Sequence, residues 1–184
     1  RDDEGALCGV TISGGRIAPR AAMPTQTGAD PVSGLAFWRG AEAQLEQIWQ
    51  GARLHRAPVS VLALEIDDFS GLQQRSGRPA ATRAVAISGL AAARNVGPTG
   101  LALRYGVATL VLVLPNCSVT VARATAMRLG ADVLAGIGDD PHATAFTISV
   151  GSATADALAE DADTAMQAAL VALGLAERAG RNRS

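Results

Sequence analysis

The sequence predicts an α/β domain in which a central mixed, largely antiparallel sheet is flanked by helices. Three observations predict it. Apolar runs of strand length alternate with longer stretches of helical period. Two of those runs, within "LALRYGVATLVLVLP", are separated by a short centre and read as a hairpin. Apolar residues make up 48% of the 184, enough to cover both faces of a sheet.

The elements follow in order. "GLAFWRGAEAQLEQIWQGARLHR", residues 34–56, has Leu35, Trp38, Leu45, Ile48, Trp49 and Leu54 at helical spacing, with Ser33 as its N-cap. Trp38 and Trp49 then share one helix face, where core or a domain contact accounts for them better than a ligand platform. "APVSVLALEI" is an almost unbroken apolar run, a strand buried on both faces. "DDFSGLQQRSGRP" reads as turn residues with at most one helical turn, and "AATRAVAISGLAAARNV" as a helix stopped by "GPTG". The hairpin comes next. A helix from residue 118, capped by Ser118, leads to the turn "DDPH" and the alternating strand "ATAFTISVGSATA". A closing helix carries acidic residues in its first turn, favourable to its dipole, and ends at Gly180. Four strands result. Residues 1–29 differ: an alternating strand around Cys8 to Ile12, then a linker rich in Pro, Thr and Gly.

Composition excludes several chemistries. Net charge is −1 and no basic run exists, which argues against phosphate-driven nucleic-acid binding. All 16 basic residues are Arg. With no Lys, Schiff-base chemistry and lysine phosphate clamps are excluded. Cys8 and Cys117 have no metal spacing, Cys117 reads as a small apolar residue, and a reducing, cytoplasmic setting is expected. No apolar run approaches a membrane span. His55 and His142 are isolated near turns and expected to be exposed. Arg104 reads as a surface strand residue. Glu65, Asp67 and Asp68 gather near a strand end, where solvated acids or a turn cap account for them better than a metal site.

Five motifs, "DPVSGL", "VSVLALEIDDF", "RYGVATLVLVLP", "FTISVGSA" and "GRNR", in this order resemble those of the GGDEF domains, bacterial diguanylate cyclases that join two GTP molecules into cyclic di-GMP. "DPVSGL" is similar to the family's D-P-L-T-G-L, and "VSVLALEIDDF" to its L-D-I-D-x-F strand. "RYGVATLVLVLP" resembles R-x-G-G-D-E-F-x-x-x-L-P. "FTISVGSA" resembles T-x-S-x-G-x-A, and "GRNR" the terminal G-R-N. The resemblance runs from Asp30 to Arg183 and implies the nucleotide-cyclase-like palm for residues 30–184. The segment at residues 1–29 resembles the end of a PAS sensor domain followed by a linker.

The resemblance also implies which residues would carry chemistry, and most have changed. The five places of the hairpin signature hold Gly106, Val107, Ala108, Thr109 and Leu110, so both carboxylates are missing. The family's second hairpin acid helps hold Mg²⁺, and a hydroxyl such as Thr109 cannot replace that charge. The first Asp of L-D-I-D is Glu65, a vestigial metal position, and Asp67 keeps the second. The Lys after the Phe is Ser70. The guanine-reading Asn and Asp fall at Gln73 and Thr82, and the intervening His at Arg78. The phosphate-clamping Lys of the last helix falls at Glu177, leaving Arg181 of that clamp. The R-x-x-D product-inhibition site falls on Gly97 and Gly100.

The expectation is a catalytically inactive GGDEF-like domain without cofactor, serving as a regulatory or protein-interaction module of a larger cyclic di-GMP signalling protein. Its partners would be protein domains of the same chain or a signalling partner, with a homodimer as a further option; nucleic acid and direct membrane insertion are not expected. The alternative is a non-catalytic receptor that binds GTP or cyclic di-GMP to regulate a neighbouring domain.

Overall fold

A computed structural model describes residues 28–180. In chain order the elements are β1 (Ala36–Phe37), α1 (Glu42–His55), β2 (Pro58–Ile66), α2 (Phe69–Asn95), β3 (Leu101–Arg104), β4 (Thr109–Pro115), α3 (Val119–Asp139), β5 (Ile148–Asp156) and α4 (Ala162–Arg178). The sheet order is β1-β3-β4-β2-β5. Only β1 runs parallel to its neighbour; every other pair is antiparallel. The mixed, largely antiparallel sheet between helices is the fold class that the sequence implied.

Strand alternation divides the core in two. Leu62, Leu64 and Ile66 of β2, with Leu110, Leu112 and Leu114 of β4, face α2 and α3. Val59, Val61 and Ala63, with Val111 and Val113, face α1 and α4. Both faces are covered, so β2 reads as a continuous apolar run. Gly151 of β5 lets α4 approach closely: a Cβ there would overlap the Leu173 nitrogen and the Ala169 oxygen and lie 2.6 Å from Leu173 Cα. Trp49 fixes α1 on this face by donating its indole N–H to the Glu160 carbonyl at 2.9 Å. Two helices carry the expected kind of cap: Ser118 accepts from the Val121 amide, and Asp161 from the Thr164 amide at 2.8 Å.

Three local expectations are corrected. The first helix begins at Glu42, not near residue 34, because the chain passes through positive φ at Gly34 and Gly40. Ser33 therefore caps no helix; its amide and hydroxyl both donate to Asp30. Trp38 precedes the helix, and its amide donates to the Arg104 carbonyl, so the two tryptophans do not share a helix face. Ala36–Phe37 instead supply a fifth strand, β1. Finally, α2 already begins at Phe69, within the stretch expected to be a turn. It kinks at Gly77 (φ 80°, ψ 167°), two residues before Pro79. Proline fits there because the kink has already interrupted the hydrogen-bond ladder.

Candidate functional site

The sheet brings the hairpin tip and the end of β2 together. Register places Glu65 directly opposite Thr109 on β4 and opposite Ser149 on β5. Thr109 is buried, and its hydroxyl donates to the Glu65 carboxylate at 2.9 Å. The tip itself is Tyr105-Gly106-Val107-Ala108. The Tyr105 and Gly106 amides both donate to the Thr109 carbonyl, at 3.1 and 3.0 Å, which closes the turn. The Ala108 carbonyl accepts from the Ile66 amide at 3.1 Å. Val107 is exposed, whereas Ala108, Thr109 and Leu110 are buried. The tip thus presents an apolar side chain and no carboxylate.

Arg104, at the base of the hairpin, was expected on the surface and is 9% exposed. The expectation failed because β1 was not foreseen; it pairs Phe37 with Arg104 and covers that edge. Arg104 Nη2 donates to the Val107 carbonyl, and Nε lies 3.9 Å from Asp30 Oδ2. Among the described residues its Nη1 has no hydrogen-bond partner. Burial lowers the pKa of Arg104, and Asp30 offsets part of that effect. Burial also works against the charge of Asp30. Hydrogen bonds from Ser33 and Val32, with Arg104 nearby, outweigh it and hold the carboxyl below its ordinary value. This pair, Arg104 buried and Asp30 partly so, brings the turn at residues 30–33 against the hairpin base.

Asp67 sits in the turn between β2 and α2. Its carboxylate accepts from Thr147 at 2.6 Å and Ser149 at 2.8 Å. Asp68 has φ 46° and pairs with Arg75 at 2.8 Å. A pocket of about 300 Å³ opens beside them, with Asp67, Asp68, Leu72, Arg75, Phe146 and Thr147 among its lining. Gln73 and Thr82 are exposed on α2, on opposite sides of the Gly77 kink, and neither lines this pocket. Arg181 lies outside the described residues, as does the strand expected before residue 28. Among the described residues, no three His, Cys, Asp or Glu side chains gather as metal ligands.

Gly97 and Gly100 occupy the turn before β3. Gly97 has φ 67°. A Cβ on Gly100 would overlap the Val96 carbonyl oxygen and lie 2.8 Å from the Val113 oxygen. Position 100 therefore accepts no side chain without a backbone shift, a local reason for glycine there. The histidines are exposed, as expected. Cys117 is buried, and burial raises its thiol pKa despite the nearby Ser60 and Arg128. No helix among the described residues is long and apolar enough to cross a membrane.

No curated protein matches the sequence. Solved structures do, and they share its fold. The GGDEF domain of DgcB from Caulobacter crescentus, in complex with c-di-GMP, is 22% identical with a TM-score of 0.75, covering 90% of this chain and 97% of that one. The GGDEF domain of FimX from Pseudomonas aeruginosa is 19% identical with a TM-score of 0.72, covering 84% and 96%. Diguanylate cyclase SiaD from Pseudomonas aeruginosa, in complex with its activator SiaC, is 22% identical with a TM-score of 0.75, covering 84% and 60%. The family model for the diguanylate cyclase GGDEF domain matches residues 27–183, which includes the whole span from Gly28 to Gly180 described above. The chain belongs to the GGDEF domain family, the domains of cyclic di-GMP signalling proteins.

Proposed function

We propose that this is a catalytically inactive GGDEF domain, comprising residues 30–184, that works as a regulatory or protein-interaction module of a larger, cytoplasmic cyclic di-GMP signalling protein. The observation that carries the reading is the Thr109–Glu65 hydrogen bond at 2.9 Å. Active relatives are expected to aim two acids at a metal here. In this chain a hydroxyl occupies one of those positions and donates to the acid at the other. A donor cannot act as a second anionic ligand. The residues present do not fit a Mg²⁺ pair: Glu65 accepts from Thr109, and Asp67 accepts from Thr147 and Ser149.

Other departures support the same reading. Gln73 and Thr82 stand where guanine would be read, and Glu177 reverses the charge of a phosphate clamp. A regulatory domain needs only its fold and a surface, both compatible with these changes. The segment at residues 1–29 is read as the end of a PAS domain and its linker, so that a sensor would precede this module. A partner domain of the same chain, a separate signalling protein or a second copy would receive the signal.

A second reading, a receptor that binds GTP or cyclic di-GMP without turnover, is favoured by one observation. The pocket of about 300 Å³ beside Asp67 includes a guanidinium, Arg75, among its lining. Isothermal titration with GTP plus Mg²⁺, and separately with cyclic di-GMP, separates the two. The interaction module gives no heat with either ligand; micromolar binding of either one replaces it with the receptor.

A further inference from the structure

A groove of about 810 Å³ opens between α1 and the segment joining α2 to β3. Its size lies in the range of small-molecule sites, roughly 300–1,000 Å³. Ile48 and Leu101 give it an apolar floor, and both pack against the core of the α1 face. Four side chains around that floor carry amides or a hydroxyl: Gln44, Gln47, Thr99 and Asn116. The described residues lining it include no Asp, Glu or Arg, and His55 is the one titratable group among them.

We propose that this groove binds an uncharged small molecule with an apolar, ring-like body and both hydrogen-bond donors and acceptors on its edge, such as a heteroaromatic lactam or an aromatic amide. Carboxamides and hydroxyls each offer both donors and acceptors, so they match an edge of mixed polarity. The floor buries the apolar body. A phosphate or carboxylate would lose hydration on entry and, among the described lining residues, meet no guanidinium or ammonium in return. Nucleotides, cyclic di-GMP included, are therefore the wrong class for this groove. The site is also spatially separate from the hairpin tip: Pro115 ends β4 and lines the groove, whereas Thr109 begins the same strand. The proposal does not depend on whether the domain is catalytically inert.

Gly51 provides the test. It lines the groove, and a Cβ built on it meets nothing within 4 Å. Gly51→Leu therefore fills the groove from a helix position where leucine is the better helix former. Amide NMR spectra of the intact domain are recorded with benzamide and hypoxanthine as uncharged probes, and with benzoate and GMP as their anionic counterparts. The uncharged probes shift the amides of Gly51, Thr99, Gly100 and Leu101. The anions bind at least about tenfold more weakly, a difference of about 1.4 kcal/mol. Gly51→Leu keeps a folded spectrum and loses the shifts. The proposal is overturned by no shifts up to the solubility of the uncharged probes, shifts mapping elsewhere, shifts that persist in Gly51→Leu, or anions binding as well. Should Gly51→Leu lose its folded spectrum, Gln47→Glu is used instead; it must weaken the benzamide shifts relative to the parent, and unchanged shifts overturn the proposal. A separate titration with GTP reports on the inert reading, so the two can fail independently.

Discussion

Replacing Thr109 by Val removes one hydroxyl while keeping nearly the same shape. The hydroxyl sits on a residue 8% exposed and donates at 2.9 Å to the carboxylate of Glu65, which is half-buried. Hydrogen bonds to charged groups contribute roughly 1.5–3 kcal/mol when well shielded. Water reaches Glu65 in part and can replace some of the lost bond, which brings the expected loss to about 1–1.5 kcal/mol. For a domain of this size each kcal/mol lowers Tm by roughly 2–4 °C, so Tm should fall by about 3–5 °C. The assay is a double-mutant cycle of Thr109→Val, Glu65→Gln and the double variant, followed by urea denaturation. The expected coupling is about 1 kcal/mol in favour of the native pair. A coupling below about 0.3 kcal/mol would show that the two residues do not act as a pair, and the explanation offered for the altered hairpin would fail.

Other perturbations test the frame that holds the hairpin. Gly151→Ala pushes a methyl into the α4 backbone at Ala169 and Leu173, and should cost about 3 kcal/mol in urea denaturation; a loss under about 1 kcal/mol would mean α4 is not seated on Gly151. Gly51→Ala, where the added methyl meets nothing within 4 Å, should instead stabilise the domain by about 1 kcal/mol. Asp161→Ala removes the α4 cap that accepts from Thr164 at 2.8 Å and should cost about 1 kcal/mol by the same assay. The Asp30 carboxyl is held below its ordinary value, so its stabilisation is complete above an unfolded-state pKa of about 3.9 and lost as pH falls through the lower folded value. Chemical denaturation between about pH 5 and pH 2 should show a shallower loss for Asp30→Asn than for the parent; parallel curves would remove Asp30 as an acid-sensitive contact.

Where the sequence was legible, one physical signal acted alone. In β2 and β4 every position except Pro58, Glu65 and Pro115 is buried on one face or the other, so the apolar runs gave the strands and the hairpin directly. Ser118 sits immediately before α3 and caps it as its position implied. The misreadings occurred where two signals competed. Leu35 and Trp38 have helical spacing with Leu45 and Trp49, but Gly34 and Gly40 break the backbone and Asp30 captures Ser33. The resulting two-residue strand is too short to show a period, and with it went the burial of Arg104. Around Gly77 and Pro79 the breakers were real, yet they kink a helix rather than delay it. For the site, the missing carboxylates at Ala108 and Thr109 were visible as letters. The hydrogen bond from Thr109 to Glu65 was not, because it depends on the register of two strands 44 positions apart. The groove lined by Gln44 and Thr99 was equally invisible, since nothing in sequence spacing joins α1 to the turn before β3.

The absence of cyclase chemistry proposed for this GGDEF domain is checked most directly by incubating the purified domain with GTP and Mg²⁺ at high protein concentration, with chromatographic detection of cyclic di-GMP beside an active GGDEF cyclase as control. No product above the protein-free background is expected. Product that accumulates in proportion to the amount of domain added would contradict that proposal.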